Sequence, residues 1–168
     1  LAGFGGQGIV SAGRILGQAA VIHAGIHAVL TQSYGPEARG GACAAQVVVS
    51  DVPVDYPNIV MPEIVVLMSQ EAYTRFAPEL SPGGLLITEE ELVTVRNPRT
   101  DIRHFSIPAT RIAEELGRKM VLNIVMMGYF AAVAGVTTRE ALQKAVEVSV
   151  PRGTEELNVK AFTRGWEF

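Results

Sequence analysis

The sequence predicts an α/β fold: a Rossmann-like three-layer sandwich on a mixed, mainly parallel sheet, with a helical C-terminal segment. Three observations carry that expectation. A glycine-rich turn, Gly3-Phe4-Gly5-Gly6-Gln7-Gly8, opens the chain and feeds a helix-periodic stretch. Short apolar runs of strand character then alternate with helix-like segments as far as Gly117. From Val121 onward the pattern is helical.

Leu1-Ala2 reads as the end of a first strand, and the natural N-terminus is expected to lie upstream of it. From Gly8 to Ala24 a helix is expected, with Ile9, Ala12, Ile15, Leu16, Ala19, Ala20 and Ile22 on its apolar face and Gly25 as its stop. A strand follows near His27–Gln32, then a second unusual loop, Ser33-Tyr34-Gly35-Pro36-Glu37-Ala38-Arg39-Gly40-Gly41. Ala42–Ser50 is the next strand. The interval between these two strands is too short for a crossover helix, so the pair should be antiparallel. Asp51–Pro62 holds three prolines and reads as a loop or edge segment. Glu63–Ser69 is a compact apolar run, the form expected of a central strand. A helix over Gln70–Phe76, a turn at Pro82-Gly83 and strands over Gly84–Thr88 and Ile102–Ile107 come next. Pro108 suits the first turn of a helix that runs to Leu116 and ends at Gly117. Val121–Ala134 is apolar on nearly every face and is expected to be buried in the core or at an interface. Thr137 and Glu140 have the spacing of a capping box. A last helix is expected from Gly153 to Gly165. No linker or repeat interrupts the pattern, so residues 1–168 form one domain.

Composition narrows the function classes. The hydrophobic share is 48% and the charged share 18%. The charged share is low against the usual ~25%, so apolar surface is expected to be covered by partner subunits, and the isolated chain is expected to be capable of forming a homodimer. A net charge of −3 speaks against a nucleic-acid binder driven by phosphate neutralisation. Of the basic residues, 11 are Arg and three are Lys, which suits fixed ion pairs. The lone cysteine, Cys43, allows no disulfide within the chain and no cysteine-ligated iron–sulfur cluster of its own. No apolar run reaches the ~20 residues of a membrane helix, and no signal peptide is expected. The expectation is a cytoplasmic protein with no membrane partner.

The first loop, Gly3-x-Gly5-x-x-Gly8, has dinucleotide-binding spacing. Such glycines permit a tight turn and close phosphate approach at a helix N-terminus. The usual companion is an acid at the end of the second strand, to hold the ribose. Here that strand ends in Thr31, Gln32 and Ser33. Three readings stay open: a nicotinamide or flavin cofactor, a turn shaped for its own sake, or a backbone surface that meets a subunit or a phosphate-bearing substrate. Gln7 is expected to reach out of the turn for the last. In the second loop, Gly35-Pro36 sets a turn, Gly40-Gly41 allows close backbone approach, and Tyr34 adds an aromatic face with a polar tip. Glu37 and Arg39 either pair with each other or face a ligand.

Smaller features read as structural. His23, His27 and His104 are scattered, and Cys43 is expected to act as a small buried hydrophobe. Met126 and Met127 are packing residues. Asn123 needs a hydrogen-bond partner if buried. Arg111, Arg118 and Lys119 surround a helix end as solvated charges.

Taken in order, several segments resemble the gamma subunit of 2-oxoacid:ferredoxin (acceptor) oxidoreductases. They are Gly3–Gly8, Thr31–Ala42, Asp55–Pro57, Leu67–Tyr73, Pro82–Gly84, Asn123, Gly135 and Asn158–Phe162. The second loop is more similar to the 2-oxoglutarate type than to the pyruvate or indolepyruvate types. The resemblance implies a subunit of a complex that oxidatively decarboxylates a 2-oxoacid, passes the acyl group to coenzyme A, and sends electrons to ferredoxin. It places thiamine diphosphate and Mg²⁺ in the alpha and beta subunits, and the iron–sulfur clusters in beta or a small delta subunit. This chain then binds none of these cofactors, and no residue in it is assigned a catalytic role. Its ligand or interface loops are Gly3, Gly5, Gly6, Gln7 and Gly8, with Tyr34, Gly35, Pro36, Glu37, Arg39, Gly40 and Gly41, all expected at strand ends along one edge of the sheet. A stand-alone nucleotide-binding oxidoreductase and a purely structural assembly module are the rivals.

Overall fold

A computed structural model describes residues 1–34 and 42–168. Its sheet has six strands among the described residues. They are β1 (Ala2–Phe4), β2 (His27–Tyr34), β3 (Ala42–Ser50), β4 (Ile64–Leu67), β5 (Leu85–Glu89) and β6 (Arg103–Ile107), in the order β2-β3-β1-β4-β5-β6. β1, β4, β5 and β6 pair parallel, and β3 runs antiparallel to both β1 and β2. The sheet is therefore mixed and mainly parallel, and the antiparallel hairpin read from the short interval is present.

Alternating side chains feed two cores, as the pleat demands. Cys43, Ala45, Val66, Met68, Leu85 and Ile87 face a large helical layer. That layer is built by α1 (Ile9–Gln18), α3 (Ala109–Glu115), α4 (Leu122–Ala134), α5 (Arg139–Ser149) and α6 (Glu155–Trp166). Ala2, Ala44, Val65, Leu67 and Leu86 face the thinner third layer, formed by α2 (Gln70–Phe76) and the 3₁₀ turn Ala77–Glu79. α4 is buried on nearly every side, which explains a sequence without an amphipathic stripe. No helix among the described residues is long and apolar enough to cross a membrane.

Three local readings need correction. The first helix does not run on as α-helix to Ala24. After Gln18 it widens into a π turn over Ala19–His23, where Ala24 N–H donates to Ala19 O. That turn carries Ile22 off the buried face, to 66% exposed. The cap of α5 is Thr138, one residue later than expected, and its hydroxyl accepts from Ala141 N–H at 3.1 Å. Thr137 Oγ1 is buried and has no hydrogen-bond partner among the described residues. Pro108 sits at the N-cap of α3 rather than inside its first turn.

Candidate functional site

The two loops singled out by sequence spring from neighbouring strand ends. In register, Phe4 of β1 lies opposite Ala42 of β3, and Cys43 lies opposite both Gly3 of β1 and Tyr34 of β2. The exit of β1, the exit of β2 and the entry of β3 therefore share one edge of the sheet. Gly35, Pro36, Glu37, Arg39, Gly40 and Gly41 lie outside the described residues; what is described is their anchorage at Tyr34 and Ala42. From β1 the chain continues toward β2 and β3, whereas β4, β5 and β6 extend the sheet the other way. The crevice between the ends of β1 and β4 is thus the topological switch point, where open α/β sheets commonly bind ligands.

The first loop is held from within. Phe4 N–H donates to Gln7 Oε1 at 2.7 Å, and Gln7 Nε2 donates to Met68 O at 2.8 Å. Gln7 thus folds back and ties the end of β1 to the end of β4, instead of reaching out of the turn as expected. A Cβ on Gly3 would run into Gln7 Oε1 and lie 2.9 Å from Ile9 Cδ1, so any side chain there would have to displace the Gln7 amide. Gly8 has φ +76° and its missing Cβ leaves room for the Asn123 amide. Asn123, 7% exposed at the start of α4, donates from Nδ2 to Gly8 O at 3.2 Å. Asn123 therefore has the partner it requires, and that partner is the glycine turn itself. Gly5 and Gly6 stay exposed, and α1 starts without a side-chain cap. An exposed glycine turn ahead of an uncapped helix offers backbone donors to a phosphate or carboxylate.

The sheet order weighs against a nicotinamide or flavin dinucleotide. In the dinucleotide-binding arrangement the second strand lies beside the first, so its terminal acid meets the ribose. Here β3 intervenes between β1 and β2, moving the end of β2 about 4.8 Å further from the turn. β2 also runs on to Tyr34, past the expected Gln32, so Thr31 lies within the strand and bonds Gln46 Oε1 on β3 at 3.3 Å. Cys43 is 5% exposed, and burial pushes its thiol pKa up, so it stays protonated. His104 stands on β6, with Thr88 Oγ1 2.9 Å from its Nε2, and burial lowers its pKa. Among the described residues no three His, Cys, Asp or Glu side chains come together as metal ligands. A cavity of about 420 Å³ lies away from the loops, at the opposite ends of β1 and β3 under Tyr56–Glu63. The glycine edge, not this cavity, carries the donor geometry.

One residue at the ends of the parallel strands escaped the sequence reading. Glu89 is fully buried at the end of β5. Its carboxylate accepts from Leu92 N–H at 2.6 Å and from Thr110 N–H in the first turn of α3 at 2.9 Å. The available signal was period two: Leu85, Ile87 and Glu89 share the inward face.

The glycine turn at the switch point is held by Gln7 and Asn123, and among the described residues no metal-ligand cluster accompanies it. The chain belongs to the pyruvate ferredoxin/flavodoxin oxidoreductase family, whose model matches residues 1–168. It is 47% identical to 2-oxoglutarate synthase subunit KorC of Methanocaldococcus jannaschii, over 99% of this chain and 90% of that protein. Among solved structures it is similar to the keto/oxoacid ferredoxin oxidoreductase gamma subunit of Geobacter sulfurreducens, with TM-score 0.87, 38% identity, and coverage of 99% of this chain and 94% of that one. The 2-oxoglutarate:ferredoxin oxidoreductase of Magnetococcus marinus shares the fold, with TM-score 0.88 at 20% identity. There the match covers 99% of this chain but 29% of the larger one.

Proposed function

We propose that the chain is the gamma subunit of a cytoplasmic 2-oxoacid:ferredoxin oxidoreductase whose substrate is 2-oxoglutarate. The complex decarboxylates the 2-oxoacid, transfers the acyl group to coenzyme A and passes two electrons, one at a time, to ferredoxin. The observation that carries this reading is 47% identity to a 2-oxoglutarate synthase subunit over 99% of the chain. In this reading thiamine diphosphate and Mg²⁺ belong to the alpha and beta subunits, and the iron–sulfur clusters to beta or a small delta subunit. This chain's residues do not suit them: it has one cysteine, and its described acids and histidines do not converge.

The chain's own contribution is the paired-loop edge. Gly5, Gly6 and the start of α1 present backbone N–H groups to a coenzyme A phosphate, or to a carboxylate of a partner subunit, at the coenzyme A entry path. Gln7 and Asn123 hold that backbone in place. Gly3 and Gly8 make room for them. Arg39 of the second loop is proposed as the cation that meets the same phosphate or carboxylate. Reconstitution with the alpha and beta subunits, assayed by 2-oxoglutarate-dependent viologen reduction, tests the proposal. Arg39→Ala is expected to raise the coenzyme A KM or to weaken assembly; if neither changes, the role of the edge is refuted. An isolated chain that reduces viologen unaided would overturn the subunit reading. Tight calorimetric binding of NAD or FAD would favour the stand-alone rival. Light scattering on the isolated chain reads whether it forms a homodimer.

A further inference from the structure

An open groove of about 290 Å³ runs between α1 with its π turn and the edge strand β2, lined by Arg14, Gly17, Val21, Ile22, Ala28 and Leu30. Four features there have no explanation among the described residues. The first is Gly17. Glycine inside a helix is a destabilising choice, yet φ at Gly17 is not positive and a Cβ would meet nothing within 4 Å. The other internal glycines of the helical layer are accounted for. A Cβ on Gly13 would lie 2.8 Å from Ala45 Cβ, and Gly128 and Gly165 let α4 and α6 cross backbone to backbone. Gly17 has the same form as these and no such neighbour among the described residues.

The second feature is the π turn, which leaves Val21 48% and Ile22 66% exposed on the groove wall. The third is Arg14. It is exposed and makes no ion pair among the described residues, and residues 1–34 contain no Asp or Glu. The fourth is spacing. Helices side by side on a sheet lie about 10 Å apart, or two strand intervals. α1 packs on β3 and β2, so the next helix position falls just beyond β2, over this groove.

We infer that the groove seats an amphipathic helix of another subunit of the same oxidoreductase complex. The helix crosses α1 at Gly17, lays its apolar face on Val21, Ile22, Ala28 and Leu30, and sets an Asp or Glu against Arg14. The inference rests on the reading of the chain as a subunit of that complex. It assigns assembly to a surface about 13 Å along α1 from the glycine turn, separate from the loop edge.

The test measures the affinity of the full chain for its partner subunits, alongside the melting temperature of the isolated chain. Gly17→Ala removes helix glycine without meeting anything in this chain. The isolated variant is expected to melt about 2 °C or more above wild type, yet bind its partners at least about tenfold more weakly. Gly17→Leu, Ile22→Glu and Arg14→Glu are expected to weaken assembly in the same direction, and the isolated melts show that each still folds. Wild-type assembly with all four variants would overturn the inference. So would an isolated wild-type dimer that Ile22→Glu dissolves while the complex still forms, because the occupant would then be a second copy. If the wild-type chain itself fails to join the complex, the subunit reading falls, and the groove assignment falls with it.

Discussion

Gly128→Ala is the sharpest test of the packing that sets the site. α4 carries Asn123, whose amide holds the glycine turn, so the turn is only as well placed as α4 is. A Cβ on Gly128 would fall on the Phe162 carbonyl oxygen, 2.9 Å from its carbon and 3.0 Å from Trp166 N. All three are backbone atoms of α6, so no side chain can swing away and the helices must part. Overpacking of this kind costs about 3 kcal/mol or slightly more at a backbone contact. The gain in helix propensity returns about 1 kcal/mol. The net loss is about 2–3 kcal/mol, and at this chain length it lowers the melting temperature by roughly 4–12 °C. A thermal melt and a urea titration of the isolated variant read it directly. Gly17→Ala is the matched control, since the same substitution in open space is expected to add about 0.5–1 kcal/mol. A Gly128→Ala variant that melts at or above wild type would refute the backbone-contact reasoning.

Other expectations follow from single groups. Asn123→Leu removes the donor to Gly8 O but leaves that carbonyl bonded to Ala12 N–H; the expected loss is about 0.5–1.5 kcal/mol, read from the urea midpoint, with faster hydrogen exchange in the glycine turn. Glu89→Ala strips the acceptor from two backbone donors and is expected to cost about 2–4 kcal/mol. Glu89→Gln, which keeps one acceptor oxygen, should recover about half of that in the same melt. Burial lowers the His104 pKa from its ordinary 6.5. The unfolded chain therefore binds the proton first as pH falls below 6.5. Stability should rise with pH from the lowered value up to 6.5 and level off above it. In a pH series of melts, His104→Asn should flatten that slope.

Much of the architecture was legible because strand and helix periods are local. β3 and α2 have the bounds that the sequence predicted, Ala42–Ser50 and Gln70–Phe76. The second of these is marked by Ser69, whose hydroxyl accepts from Ala72 N–H. The misreadings arose where neighbours distant in sequence decide. Gln7 is a polar residue in a glycine turn, and only the arrival of Met68, just past the end of β4, gives its amide a carbonyl and turns it inward. Glu89, Glu90 and Glu91 are identical in type, and the end of β5 decides which is buried: Glu89 is its last residue and the other two lie in the exposed turn beyond it. Thr137 and Thr138 both offer a hydroxyl, and the frame of α5 chooses the second. The residues from Ala19 to His23 suit either an α or a π turn, and the difference moves Ile22 from core to surface. For the candidate site, sequence gave the two loops and the need for a partner at Asn123. The shared edge came from the position of β3 between β1 and β2, a matter of topology rather than of any residue.

The measurement that bears most directly on the central claim is the coenzyme A KM of the reconstituted complex carrying Gly5→Asp or Arg39→Ala in this chain. Gly5→Asp sets a carboxylate at the exposed turn, and Arg39→Ala removes the cation of the second loop. The account predicts that each raises the coenzyme A KM about tenfold or more, or weakens assembly, while the 2-oxoglutarate KM and kcat of the assembled complex hold. Unchanged coenzyme A kinetics in a fully assembled complex would contradict it.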